Sequence, residues 1–323
     1  MSSAPVDIAS TPLVVSMSGG KDSAGTGLHL QALGLQYESI YFDTGWESQK
    51  TYTYLRDVLP DHVGPIRWLR PEVDLEGELL AIAERLEGKL GHYSAMVRLI
   101  LKRGMFPSRT RRYCTQELKV FVARDYFRAR DDDAVSVVGV RAQESAARFK
   151  LSEWEWSDTF DTWTWRPLID WSESDVIAAH TRAGLPPNPL YLQGASRVGC
   201  WPCIYARKSE VRMLAEMDPA RLAVIRELES EVGRLATIRA EGRGEELANT
   251  PTWFHNPNPP RDRVTRKVLV GTPGYDSMWP IDRVVEWSKT SRGGRQFELF
   301  EAPERERGCM RWGLCDTPPR RKP

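Results

Sequence analysis

Two hydrophobic periods alternate along the first 184 residues, and a different texture follows. "PLVVSMS" (12–18) is a continuous apolar run of the kind a strand buried on both faces shows. Ser23 to Leu33 carries helical spacing, stopped by Gly34. "YESIYFDTG" (37–45) reads as a second strand ending in an acidic loop. Residues 48–58 read as helix, "PIRWLR" (65–70) as strand, and 74–103 as one or two helices. "TQELKVFVARDYFRAR" (115–130) is amphipathic, with Leu118, Phe121, Val122 and Phe127 near helical spacing. "AVSVVGV" (134–140) and "DTWTWRPLI" (161–169) are further strands. In the helix that follows, Ser172 is placed to cap and Asp175 to close a capping box. Trp171 and Val176 occupy the staple positions, and Gly184 ends the element.

This alternation predicts an α/β fold: a mainly parallel sheet with helices on both faces. Residues 1–11 are small and polar and read as a flexible tail. Past 184, "PPNPLYLQGASRVGCWPC" is loop-rich, 205–241 is charged and helical, and Pro, Gly and Trp dominate from 250. The expected organisation is one site-bearing domain over 12–203. A helical and irregular elaboration over 204–323 packs on it. No internal repeat is visible.

Length and composition sharpen this picture only in places. The chain of 323 residues with 41% hydrophobic content can build a substantial core. Lys+Arg 45 against Asp+Glu 44 leaves a net charge of +1, so nothing global points to a polyanion. Basic clusters are local: "SRTRRYC" (108–114) and the terminal "PPRRKP". No apolar run reaches the roughly 20 residues of a membrane span. The N-terminus lacks a signal-peptide layout, and a cytoplasmic protein is expected. In such a reducing compartment five cysteines suggest metal ligands or redox groups more than a disulfide frame.

The strongest chemical signal is "SMSGGKDSAG" (16–25), a Gly-rich turn between the first strand and the first helix. Such a turn gathers unpaired backbone N–H groups around an anion. Gly19 and Gly20 allow close backbone approach, Lys21 adds charge, and Ser18 and Ser23 add hydroxyls. It is neither a Walker loop nor G-x-G-x-x-G. Asp43, Thr44 and Gly45 fall at the carboxyl end of the second strand, where ligands bind in open α/β sheets; a helix cap is the structural alternative. Arg141, Glu144 and Arg148, spaced i, i+3 and i+7, would share a helix face, as an anion site or as an ion-pair ladder. Lys119 could reach a phosphate or simply be solvated.

S-G-G-K-D-S resembles the pyrophosphate loop of the adenine nucleotide alpha-hydrolase-like superfamily. "FDTGWES", "RRYCTQELKV", "GVRAQESAAR", "WRPLIDWSESDV" and "NPLYLQGASRVGCWPC" follow in the order of the phosphoadenosine phosphosulfate (PAPS) reductase family, spanning about residues 13–203. "GGRQFELF" and "CMRWGLCD" are similar to endings of its phage and genomic-island members. The resemblance implies a Rossmann-like fold. It implies ATP, or adenylyl sulfate with or without the 3′-phosphate, on Ser18, Gly19, Gly20, Lys21, Asp22 and Ser23, with Mg²⁺ on the polyphosphate. Asp43, Thr44, Gly45, Lys119, Arg141, Glu144 and Arg148 become the further nucleotide contacts, with Lys21 and Asp22 as catalytic groups.

Cys200 and Cys203 form a C-x-x-C, Cys114 opens a helix, and Cys309 and Cys315 lie near the end. Four thiolates suit a [4Fe–4S] cluster or a structural zinc. The resemblance favours iron–sulfur on Cys114, Cys200, Cys203 and Cys315, with Cys309 as the other candidate. Tyr113 stands where assimilatory reductases carry a second cysteine. The reductases' Glu-Cys-Gly-Leu-His ending is also absent, which shifts the resemblance toward the sulfur-transfer subunit of DNA phosphorothioation.

The favoured expectation is therefore an ATP pyrophosphatase-type sulfurtransferase. Its acceptor could be nucleic acid, held by Arg109, Arg111 and Arg112, and its sulfur donor a cysteine desulfurase. The second is a reductase of adenylyl sulfate, with a thiol reductant as partner and Cys315 or Cys309 as nucleophile. The third is a non-catalytic protein that binds nucleotide and zinc. No membrane partner is expected, and a homodimer is compatible with any of these.

Overall fold

The structure is a computed structural model that describes residues 4–247, 249–257, 261–262, 264–265, 267–269, 277–290 and 312. The chain forms two compact units, one of residues 1–71, 115–200 and 303–323, the other of 72–114 and 201–302. Residues 72–114, which lie within the expected 12–203 stretch, group with the later helices.

The first unit holds a six-stranded sheet. Its strands are β1 (Leu13–Met17), β2 (Glu38–Phe42), β3 (Ile66–Leu69), β4 (Val135–Val138), β5 (Trp154–Ser157) and β6 (Thr162–Trp165). The spatial order is β3-β2-β1-β4-β6-β5. All neighbours are parallel except the β5–β6 pair. Successive side chains of β1 enter opposite cores. Leu13, Val15 and Met17 pack with Ala24 and Leu28 of helix Lys21–Ala32; Val14 packs with Ile40, Ala123 and Phe127. Helices thus cover both faces, as a run with no polar alternation requires. The edge strand β5 has no counterpart among the expected elements. Its ladder is built on aromatic cross-strand pairs: Trp154 stacks on Trp165 with centroids 5.2 Å apart, and Trp156 meets Trp163 edge-on.

The strand order reverses between β1 and β4. The chain runs outward from β1 through β2 to β3, then returns to the other side of β1. Loops at the carboxyl ends of β1 and β4 therefore face one crevice, where open α/β sheets bind ligands.

The second unit is mainly helical. Gly77–Leu90, Ala95–Arg103, Lys208–Met217, Pro219–Glu241 and Ile281–Ser288 are its main helices, and Phe254–His255 pairs with Met278–Trp279 in a short antiparallel ribbon. Pro219 divides the expected 205–241 helix in two: Asp218 caps the second by accepting the Arg221 N–H. No helix among the described residues is long and apolar enough to cross a membrane.

Candidate functional site

The loop Ser18–Gly20 leaves β1 at the reversal point, and the first helix begins at Lys21. Gly19 turns the chain with φ +69°, and a Cβ there would come within 2.9 Å of the Thr51 side chain. Serine hydroxyls hold the turn in shape. Ser23 Oγ donates to the Gly20 carbonyl (2.9 Å) and accepts the Ser18 N–H (3.1 Å). Ser18 Oγ lies 3.1 Å from Ser23 Oγ and accepts the Gly20 N–H at 3.3 Å. In the first turn of the helix, the Asp22 and Ser23 N–H groups have no intrahelical acceptor and point where an anion is favoured.

β4 makes the loop possible from the other side. Gly139 follows that strand, and a Cβ on it would stand 2.6 Å from the Asp22 carbonyl oxygen and 2.8 Å from the Ser23 nitrogen. Only glycine lets the end of β4 approach the loop backbone this closely.

Lys21 is buried and held on every side. Its Nζ lies 3.4 Å from Asp22 Oδ2 and 3.4 Å from Glu173 Oε1, and 5.2 Å from the centre of the Tyr191 ring. The Lys21 N–H donates to the Tyr191 hydroxyl (3.1 Å), and His180 Nε2 is 2.9 Å from the Lys21 carbonyl oxygen. Asn188 Nδ2 donates to the Gly19 carbonyl at 3.2 Å. The other Asp22 oxygen accepts from Arg141 Nε. Two cations and two carboxylates thus balance beside the open N–H groups. An entering phosphate chain must draw Lys21 from its carboxylates or bring a cation of its own.

Of the expected contacts, Ser18, Gly19, Gly20, Lys21, Asp22, Ser23 and Arg141 come together here. The helix expected across Arg141, Glu144 and Arg148 is absent: the segment forms two 3-10 turns, 142–144 and 148–150, separated by extended Ser145. Arg141 is buried against Asp22, whereas Arg148 pairs with Glu144 at an exposed turn. The i, i+7 spacing fails because a helical register does not survive an extended residue. Lys119 is half-buried within a π-helical turn, Gln116–Val120.

The β2 loop is a second, largely internal network. Asp43 Oδ2 accepts two bonds from Arg70 (2.9 and 2.7 Å), and its Oδ1 accepts the Gly45 N–H and the Tyr52 hydroxyl, both at 3.0 Å. Glu47 Oε2 accepts from the Thr44 hydroxyl (3.0 Å) and the Trp46 N–H (3.3 Å), and lies 3.2 Å from the Tyr52 hydroxyl. Burial, with Glu47 and Asp43 alongside, raises the Tyr52 pKa and keeps its proton available to the carboxylates. Asp43 and Thr44 therefore shape their own loop. Glu47 also reaches the cysteine region: it forms a β-bridge with Cys200, whose Sγ lies 4.0 Å from Glu47 Oε1.

Cys114, Cys200 and Cys203 are half-buried and are not in disulfides. Cys309 and Cys315 lie outside the described residues. Among the described residues no three His, Cys, Asp or Glu side chains are grouped to hold a metal ion.

Glu173, His180, Asn188, Tyr191, Glu47 and Arg70 had no ligand role in the sequence reading. Their signal was present: Asn188 and Tyr191 stand in N-P-L-Y, and Glu173 lies inside the capping box. Spacing could not show that Glu173, His180 and Tyr191 converge on Lys21, that Asn188 reaches Gly19, or that Glu47 and Arg70 join the Asp43 loop.

A glycine turn at the reversal point of a mainly parallel sheet is the arrangement of nucleotide-binding α/β folds. Residues 79–206 match the phosphoadenosine phosphosulfate reductase domain. An uncharacterized 37.8 kDa protein of Escherichia phage 186, from the gpa 5′ region, is 34% identical across 95% of this chain and 97% of its own length. Adenosine 5′-phosphosulfate reductase of Allochromatium vinosum is 40% identical over 70 residues, 22% of this chain and 27% of that enzyme. The solved PAPS reductase of Candida auris, a phosphate complex, aligns with TM-score 0.43 and 19% identity over 60% of this chain and 84% of that one. The chain carries a phosphoadenosine phosphosulfate reductase family domain over residues 79–206 and is related along nearly its whole length to the phage protein.

Proposed function

We propose that this chain is an ATP pyrophosphatase-type sulfurtransferase. The observation that carries the reading is the Ser18–Ser23 glycine turn at the start of a helix, beside buried Lys21. In this reading the β- and γ-phosphates of ATP lie on the loop. An acceptor oxygen attacks the α-phosphorus, the bond to the bridging oxygen breaks, and pyrophosphate leaves. Lys21 neutralises the leaving group, and Asp22, fixed by Arg141, sets where Lys21 can move. Catalysis rests on positioning and charge neutralisation. Magnesium, when bound with the nucleotide, would offset polyphosphate charge; Asp22 and Glu173 supply the hard oxygen donors it takes.

Nucleic acid is the proposed acceptor. Arg109 and Arg112 place their guanidinium groups 5.5 and 5.6 Å from the Tyr205 ring, an arrangement of cations on an aromatic suited to phosphates and bases. A cysteine desulfurase is the proposed sulfur donor. The cysteine-held cluster, with zinc as its alternative, stays part of the proposal through Cys114, Cys200, Cys203 and one terminal cysteine, and no step is derived through it.

A second reading, reduction of adenylyl sulfate with a thiol reductant, is favoured by the short stretch of 40% identity to adenosine 5′-phosphosulfate reductase. Supplying the anaerobically purified protein with ATP or with adenylyl sulfate separates the two. Pyrophosphate release from ATP, stimulated by an oligonucleotide and a desulfurase, supports the first. Sulfite release from adenylyl sulfate, matched by oxidation of two thiols, supports the second. Binding of nucleotide without turnover of either would leave the non-catalytic reading.

A further inference from the structure

Lys21 is gripped at both ends by one helix. Glu173, in the first turn of helix Glu173–Arg182, lies against its ammonium; His180, two turns further on, meets its carbonyl. A carbonyl oxygen can only accept, so His180 Nε2 carries the ring proton and donates it. Burial lowers the His180 pKa and favours the neutral ring, against the pull of the Lys21 and Leu185 backbone and of Asp22. His180 Nδ1 is then the ring's acceptor nitrogen, buried and without a hydrogen-bond partner among the described residues.

Against this ring sits Trp312, from the far end of the chain. Its indole meets His180 edge-on, with centroids 5.2 Å apart and planes at 69°, and lies tilted against Tyr191 at 5.7 Å. Trp312 is buried, and its Nε1–H is a donor without a partner among the described residues. The two aromatic side chains that Trp312 touches are the two that hold the backbone of Lys21: Tyr191 takes its N–H and His180 its carbonyl. One open donor and one open acceptor therefore stand in adjoining buried rings. A small ring rotation, or a bridging water, would pair them.

We propose that Trp312 is a positioning residue for the anion-binding loop. Its indole fixes the His180 and Tyr191 rings and, through Nε1–H and His180 Nδ1, sets the backbone of Lys21. Packing of the Trp312 indole and binding of phosphate at the loop are then thermodynamically linked, each strengthening the other. The phosphate half of the proposal rests on the functional reading above.

The test uses the full chain with Trp312→Phe, which keeps a ring but removes the donor, and Trp312→Ala, which removes both. Two readouts are taken: calorimetric affinity for pyrophosphate and ATP, and the ¹⁵N shifts of the histidine side chains, with His180 assigned by His180→Gln. The expected result is a shift of the His180 nitrogens in Trp312→Phe. Affinity should fall at least about fivefold in Trp312→Ala, with Trp312→Phe between. Unchanged His180 shifts in Trp312→Phe, or native affinity in both variants, would overturn the proposal. A native protein that binds neither ligand would sink the functional reading instead. The His180 shifts would still decide whether Trp312 acts on the ring that holds Lys21.

Discussion

Replacing Gly139 by alanine tests whether the end of β4 really abuts the anion-binding loop. The added Cβ would meet Asp22 O at 2.6 Å, Asp22 C at 2.7 Å and Ser23 N at 2.8 Å, where ordinary contact begins at 3.4 Å. All three atoms are backbone, so no side chain can swing aside. The loop or the strand end must retreat by about 0.8 Å (3.4 − 2.6). Forcing a methyl into such a packed place costs about 1–3 kcal/mol of stability. Displacing a phosphate-binding loop by nearly 1 Å costs on the order of 100-fold in rate. Loss of even one charge-assisted bond to phosphate weakens binding about tenfold. Urea unfolding and calorimetric titration with ATP measure the two effects separately. Gly88→Ala is the control, because Gly88 lies inside helix Gly77–Leu90 with nothing within 4 Å of its added Cβ. It should raise stability by about 0.5–1 kcal/mol and leave binding alone. Native stability and native affinity in Gly139→Ala would refute the close approach and, with it, the role given to the crevice.

Three further outcomes follow from the same geometry. Arg141→Met should destabilise the protein by about 3 kcal/mol, since Asp22 loses its buried guanidinium, and Asp22→Asn in the same chain should restore part of that loss in a double-mutant cycle by urea unfolding. Ser172→Ala removes the cap of the helix that carries Glu173 and His180; it should cost about 1 kcal/mol and lower the melting temperature by about 2–4 °C. In the second unit, burial pushes the Glu229 pKa up to about 7, although the Ile281 and Trp253 N–H groups it accepts pull the other way. The folded state therefore holds this proton more tightly than the unfolded chain. Stability should fall by about 3 kcal/mol as pH rises from about 4.5 to 7, and Glu229→Gln should flatten that slope in denaturation series across the range.

The elements of the sheet were legible because burial leaves a periodic trace. The apolar run before Ser18 has no polar alternation since helices cover both faces of β1, and Ser172 with Asp175 marks a helix start that the structure reproduces bond for bond. Strand β5 was not legible. Trp154 and Trp156 alternate with polar residues over only four positions, too few to set a strand apart from a loop. The Arg141–Arg148 spacing misled for a related reason: periodicity assumes a continuous helix, and extended Ser145 breaks it.

By itself, the sequence determined the strand–helix alternation, the glycine turn at Ser18–Ser23 and the family resemblance, because each is written in contiguous residues. Tertiary structure alone decided what those residues touch. It brought Arg141 to Asp22, Glu173 and His180 to the two ends of Lys21, and Trp312 to His180. It also grouped residues 72–114 with 201–302. The physical reason is one of range. Propensity, capping and hydrophobic period act over a few residues, whereas a buried charge takes its partner from whatever part of the chain the packed core sets beside it.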